Sequence, residues 1–472
     1  MCLLRRRHLR EDEGQPLDRD RESAVARWAP RARLRARPRL VLAALAFSLS
    51  RGAAGREISR PARRATRPLG CRELPTACLD TTAELKAPAS KRHIPTRAPT
   101  RPARIERLPE QYFGALLARV AAQAAVKGEP LLDLGRGNPE TGPPAHIIDA
   151  LTKAAERPDV HGYSPFRGLP ELREALAERY RTHYSVELDP HSEVAVVPGT
   201  KTAIVELSLV LAEEGQTVVL PDPYYPDYPS APALAGARTG LLPLTPSRAW
   251  APDFSRAPAE DVAAVYFNYP NNPCAVAVPD GAFEQAIEYA HATGAAVVHD
   301  FAYGDLVFDG REPRSFLAAP GAKEVGVEMF SMSKSYGMAG WRVGFVVGNA
   351  EIVERINLLN DHCRVGIFRP IQEACIAALT GPQDSVAERR DTYQRRRDRV
   401  LEVLGPMTCE GTFYLWLELP EGVTFESLLT EHRLVVAPGE GFGPSGAGWV
   451  RLSLAVSDET LELGLERLSR AL

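Results

Sequence analysis

One lysine in this chain stands where its amine can be put to chemical use. In Ser331-Met-Ser-Lys334-Ser-Tyr-Gly337-Met-Ala-Gly340-Trp-Arg342-Val-Gly344 it follows directly on an apolar run ending at Met329 and Phe330. A lysine at the end of a buried strand loses hydration, which lowers its pKa and frees the amine to attack a carbonyl. Taken singly, a solvated loop lysine is the commoner case. Its companions decide the matter. Asp300 closes the run Ala295-Ala-Val-Val-His299, with Tyr303 three residues on, and Asn268-Tyr-Pro270-Asn-Asn272-Pro273 ends another apolar run. Alone, Asp300 is equally a helix cap and Asn272 an ordinary Asn/Pro turn.

A second set of residues suits an anion. Pro198-Gly199-Thr200-Lys201 leaves an apolar run and opens a helical stretch. A glycine-led turn into a helix N-terminus offers backbone N–H groups and a positive dipole end to a phosphate. Arg342 can add charge, and the hydroxyls of Thr200, Ser331 and Ser333 further donors. Tyr225, in Pro223-Tyr-Tyr-Pro226, can stack on an aromatic ring. Arg451, in Trp449-Val-Arg-Leu-Ser-Leu454, carries a planar guanidinium suited to a carboxylate, although on a strand it is more often solvated.

These parts make sense together around one cofactor. A lysine to form an imine, an aspartate for a pyridinium nitrogen, phenol and amide donors for a ring oxygen, a phosphate cradle and a stacking ring describe pyridoxal phosphate. Gly439-Glu-Gly441-Phe-Gly443 looks superficially like a dinucleotide loop, but lacks the spacing and the acidic residue about twenty positions later.

Positioning such a set requires a scaffold, and the chain patterns as one. Short apolar runs at Val194 to Val197, Thr217 to Leu220, Gly240 to Leu244, Ala263 to Phe267, Ala295 to Val298, Val327 to Ser331 and Val343 to Val347 alternate with helical segments. Runs without polar alternation suit strands covered on both faces, so an α/β fold with a mostly parallel seven-stranded sheet and helices on both faces follows. The link from Lys334 to Arg342 is too short for a crossover helix, so the strand at Val343 should run antiparallel. Gly337 and Gly340 serve that turn. A helix is expected over Leu108 to Val126, with Leu116, Leu117, Val120 and Ala124 on one face. Helices at Ile352 to Asn360, Gln372 to Leu379 and Asp384 to Leu404, strands at Thr412 to Leu419, Leu434 to Ala437 and Val450 to Leu454, and a last helix from Asp458 describe a smaller α+β domain. The expected division is 104–150 joining 351–472 in that small domain, and 151–350 as the large one.

The net charge of −3 hides an asymmetry: residues 1–103 are rich in Arg, Pro and Ala, and the remainder is acidic. That segment lacks periodicity and cannot bury enough apolar surface to offset chain entropy, so disorder is expected. A basic arm, a targeting peptide, and residues upstream of the native start compete as readings, and the abrupt change near Arg104 favours the last. No charge argument for a nucleic-acid partner applies to the main body. The apolar run Leu40 to Ser50 is too short to span a bilayer. Seven scattered cysteines, without a Cys-x-x-Cys pair, indicate a reducing, cytoplasmic setting and no structural metal.

From about Arg104 to Leu472 the sequence resembles the fold-type I pyridoxal phosphate-dependent aminotransferases of class I/II. Ser331-x-Ser-Lys334 with Arg342 eight residues on is similar to the family's lysine motif, and Asp300-x-x-Tyr303, Asn272-Pro273 and Arg451 in Val-Arg-Leu-Ser stand in the family's order. The resemblance implies that Lys334 binds the cofactor and shuttles a proton, Asp300 pairs with the ring nitrogen, and Asn272 and Tyr303 bond the ring oxygen. It implies that Gly199, Thr200, Ser331 and Arg342 hold the phosphate, that Arg451 binds the substrate α-carboxylate, and that Gly137, in Leu134-Gly-Arg-Gly137-Asn-Pro139, lets backbone approach the substrate. Tyr163, in Gly162-Tyr-Ser-Pro-Phe-Arg-Gly168, matches a tyrosine that reaches the neighbouring subunit's phosphate, which implies a homodimer with shared sites.

One departure is visible: Asn272-Pro-Cys274-Ala275 replaces the usual Asn-Pro-Thr-Gly, and loss of the glycine is expected to shift that turn. The implied activity is transfer of an amino group from an L-amino acid to a 2-oxo acid by a ping-pong cycle. Tyr-Pro-Asn-Asn-Pro and His-Asp-Phe-Ala-Tyr-Gly look most like the methionine-salvage branch and diaminopimelate- or aspartate-type relatives. A carbon–sulfur lyase using the same cofactor is the alternative, and an aminotransferase-like regulator a weaker one. Arg136 is either a contact for an acidic substrate or simply exposed.

Overall fold

Residues 100–472 are described in a computed structural model. The expectations for the basic extension therefore lie, up to residue 99, outside the described residues. The described residues form twelve strands: β1 (Leu132–Asp133), β2 (Val194–Val197), β3 (Thr217–Asp222), β4 (Arg238–Pro243), β5 (Val262–Asn268), β6 (Ala296–Asp300), β7 (Gly326–Ser331), β8 (Gly344–Gly348), β9 (Tyr414–Glu418), β10 (Leu434–Val435), β11 (Ala437–Pro438) and β12 (Trp449–Ser453). Seven form one sheet in the order β2-β8-β7-β6-β5-β3-β4. Only β8 is antiparallel to its neighbours, as the short link from Lys334 requires.

The inner strands β3, β7 and β8 are buried along their whole length, and β5 and β6 at all but one residue each, because both faces are covered. Alternate residues enter two different cores: Val265, Phe267, Phe330 and Phe345 pack on one face, Ala264, Tyr266, Met329 and Val346 on the other. Edge strand β4 exposes Arg238 and Thr239. Register brings the chemistry to one edge: Asn268 lies opposite Asp300, Asp300 opposite Met329, and Ser331 opposite Gly344, all at the carboxyl ends of β5, β6 and β7. On the reverse face His299 meets the buried carboxylate of Glu328 at 2.7 Å, which also accepts from Tyr180, Ser315 and the Phe316 amide. Those donors replace the water that Glu328 has lost.

The smaller part is an antiparallel sheet in the order β11-β12-β9, while β1 pairs in parallel with β10. A 21-residue helix, Asp384–Leu404, ties loops to it through buried arginines. Arg389 donates to Thr141 and Gly142, Arg396 to Glu140, Asp458 and the Leu454 carbonyl, and Arg397 to Asp309 and the Cys409 carbonyl. No described helix is long and apolar enough to cross a membrane.

Two local expectations change, and the turn at Ala275 is seen in detail. The early helix runs Tyr112–Ala124, and of its expected face only Leu116 is buried; Leu117 is 65% exposed. Phe113, Leu116, Leu117 and Val120 line a cavity, and only Leu116 and Val120 of them also pack on the core. Gly340 meets nothing that a Cβ would touch, whereas Gly337 has φ +68° and backs onto the Thr141 carbonyl, so one glycine is needed there and not two. Ala275 adopts φ 61° itself. Its N–H donates to the Asn271 carbonyl and its own carbonyl accepts from the Glu410 and Gly411 amides, so these bonds hold alanine in a left-handed conformation that glycine adopts more readily.

Candidate active site

A cavity of about 530 Å³ opens at the carboxyl ends of β5, β6 and β7, and every candidate residue named above lines it except Gly199 and Tyr163. Lys334 sits in a one-turn helix, Met332–Ser335, capped by the Ser331 hydroxyl, which accepts from the Ser333 amide. Its amine donates to the Gly137 carbonyl at 2.8 Å and lies near the Tyr303 and Phe413 rings. Burial, helped by Arg451 and Arg342, lowers its pKa from 10.5 to about 8, with Asp300 opposing.

Asp300 is buried, accepting from the Tyr228 hydroxyl at 2.8 Å and the Ala302 amide at 3.2 Å. Burial pushes its pKa up, and the Tyr228 hydrogen bond pulls it down. Asn268 donates to the Asp300 carbonyl and accepts from the Asn272 amide, bracing the two loops against each other. Arg451, 1% exposed, donates to Asn272 Oδ1 at 2.8 Å and lies 3.8 Å from the Tyr414 ring centroid. Among the described residues its Nε has no partner, and its Nη2 reaches only the Gly135 carbonyl, at 3.5 Å. A buried guanidinium with unfilled donors is what a carboxylate would complete.

Gly199 caps the helix Thr200–Leu211 at φ +85°, and a Cβ there would run into the Arg342 guanidinium. Arg342 itself has φ 59° and donates to the Ala339 carbonyl at 2.7 Å. Helix start, guanidinium and the buried Ser331 and Ser333 hydroxyls make a donor set for a phosphate. Lys201 also lines the cavity, but its amine pairs with Asp227 at 2.8 Å. Tyr225 meets Tyr228 edge-on at 5.8 Å. Tyr163 is 89% exposed and stands outside this cavity. Together these groups fit pyridoxal phosphate: donors for a phosphate, a buried carboxylate for a ring nitrogen, and a desolvated amine for a carbonyl.

Sequence reasoning passed over Asn268, Tyr228 and Tyr414. Asn268 ends an apolar run and was readable from its position; Tyr228 and Tyr414 look like core aromatics in the sequence. Arg136 is exposed and donates to Asp133 at 2.6 Å. Phe113, Leu116, Leu117, Val120 and Val435 form an apolar wall of the cavity.

Comparison with known proteins gives the same picture. Residues 129–468 match the model of the family described as aminotransferase class I and II. The chain is 42% identical to the L-glutamine–4-(methylsulfanyl)-2-oxobutanoate aminotransferase of Bacillus subtilis, covering 78% of this chain and 95% of that protein. It is 40% identical to an LL-diaminopimelate aminotransferase of Dehalococcoides mccartyi, over 78% and 97% of the two. The solved structure of apo-BacF from Bacillus subtilis superposes with a TM-score of 0.75 at 35% identity, over 79% of this chain and 99% of that one. The chain is an aminotransferase, a member of the class I and II family whose cofactor is pyridoxal phosphate.

Proposed function

We propose that this aminotransferase binds pyridoxal phosphate in the cavity around Lys334 and takes its amino group from L-amino acids with uncharged, largely apolar side chains. The observation that carries the reading is the desolvated Lys334 amine, pKa about 8, in one cavity with Asp300, Asn272 and Arg451. Pyridoxal phosphate, when bound, supplies an electron sink conjugated to the substrate α-carbon. Lys334 would hold it, and near neutral pH a useful fraction of its amine is neutral and able to move the α-proton. Asp300 would hold a proton on the ring nitrogen, with Asn272 and Tyr303 on the ring oxygen and Tyr225 against the ring face. Gly199, Thr200, Ser331, Ser333 and Arg342 would bind the phosphate, with the Lys201–Asp227 pair beside them. Arg451 would orient the α-carboxylate, with Gly137 leaving room for it: a Cβ at Gly137 would lie 2.7 Å from the Tyr414 hydroxyl.

The side-chain preference is supported by the apolar wall from Phe113 to Val120, and by the ion pair between Arg136 and Asp133, which neutralises the nearby guanidinium. One relative's name, which gives a 4-(methylsulfanyl)-2-oxobutanoate acceptor beside an L-glutamine donor, supports an apolar chain at this site, whereas others give LL-diaminopimelate or glutamate. A homodimer with Tyr163 reaching the partner's site, a cytoplasmic location, and a large domain over 151–350 flanked by small-domain segments complete the reading. Exposure of Tyr163 supports the first. Single amino acids mixed with the holoenzyme test the donor directly, because conversion of the cofactor to its amine form is visible in the absorbance spectrum. Methionine, leucine or phenylalanine should convert it faster than aspartate. Ammonia and an oxo acid formed without any acceptor would instead identify a lyase.

A further inference from the structure

We propose that Tyr228 is a positioning residue for the cofactor ring, its hydroxyl holding the Asp300 carboxylate in the orientation and charge state that a protonated ring nitrogen requires. The inference rests on the assignment of Asp300 made above. Tyr228 is fully buried, and its hydroxyl donates to Asp300 Oδ2 at 2.8 Å while the Ala302 amide serves Oδ1 at 3.2 Å. Each carboxylate oxygen thus has one fixed donor and accepting capacity left over. Rotation of the carboxylate would break one of the two bonds.

The tyrosine is itself clamped. Its ring packs against Tyr225 at 5.8 Å and Tyr266 at 6.0 Å. The Tyr266 hydroxyl in turn bonds Ser208 and the Ile204 carbonyl, both on the helix that opens at Thr200. The helix whose start forms the phosphate cradle therefore also fixes the ring that fixes Asp300. A buried phenol needs some acceptor, and any backbone carbonyl would satisfy it. This one is directed at a buried anion, where its hydrogen bond is stronger and opposes protonation by burial.

The test is a double-mutant cycle read by cofactor affinity. Full-length protein stripped of cofactor is titrated with pyridoxal phosphate as wild type, Tyr228→Phe, Asp300→Asn and the double variant. Phenylalanine keeps the ring packing, and the urea midpoint of each cofactor-free protein reports packing loss separately. Tyr228→Phe is expected to weaken binding about tenfold in the wild-type background and to change nothing in the Asp300→Asn background. With saturating cofactor, kcat should fall while KM for the donor stays constant. Equal weakening in both backgrounds would mean that Tyr228 acts through packing alone and overturns the inference, as does unchanged affinity in the wild-type background. An Asp300→Asn protein that binds as tightly as wild type removes the reading of Asp300, and this inference with it.

Discussion

Arg451 on β12 and Asn272 in the turn after β5 are joined side chain to side chain at 2.8 Å, across 179 residues of sequence. One contact thus couples the proposed carboxylate anchor to the proposed ring-oxygen donor. Arg451→Lys should cut kcat/KM by about a hundredfold for every donor alike, since a lysine cannot serve Asn272 and a carboxylate in one plane. Steady-state kinetics with three chemically different donors checks the uniformity.

The Lys334 amine gives a pH signature in the cofactor-free protein. Its folded pKa of about 8 lies below the ordinary 10.5, so the folded state holds fewer protons between those values. Stability contributed by this group therefore rises with pH across that window and is lowest below it. Lys334→Met should exceed wild type in urea midpoint at pH about 7, and the gap should shrink by pH about 10. A gap that widened would reverse the sign.

Ala275 has φ 61° in a fully buried turn. A left-handed alanine costs about 1–2 kcal/mol, part of which a glycine returns as chain entropy on unfolding. Ala275→Gly should stabilise the protein by about 1 kcal/mol without changing kcat, as read by urea unfolding and by steady-state rates.

Gly199→Ala would place a methyl against the Arg342 guanidinium at a φ of +85°. Cofactor affinity should fall by at least about tenfold, with inorganic phosphate competing less well for the cofactor-free protein. Direct titration with both ligands checks it.

Leu117 is 65% exposed in the cavity wall. Leu117→Asp should lower kcat/KM for leucine or methionine about tenfold more than for alanine, whose side chain does not extend so far. A uniform loss across donors would place Leu117 outside the side-chain chamber.

The sheet was legible because buried parallel strands announce themselves as unbroken apolar runs, and the Lys334–Arg342 spacing forced β8 to reverse. The site was legible where a residue type is rare at a strand end, as with Asp300 and Lys334. What escaped were aromatic residues with two identities. Tyr228 and Tyr414 have the composition of core, and only coordinates distinguish a phenol aimed at Asp300 from one aimed at a carbonyl. The helix at Tyr112–Ala124 shows the converse. Its apolar periodicity was plain, but periodicity cannot tell a face that meets core from one that meets a cavity, and Leu117 falls on the second kind. Ala275 escaped because a sequence records the lost glycine and not the hydrogen bonds that keep its conformation.

That same helix separates two inheritances. Asp300 and Lys334 are set at strand ends of the large sheet, and Arg451 on the middle strand of the small one, where each shift would disturb several neighbours at once. The apolar wall hangs on a helix with one buried residue, Leu116. On the proposed reading of the cavity, exchanging Phe113, Leu117 or Val120 would redraw the menu of accepted amino acids while leaving the proton-handling groups where they are.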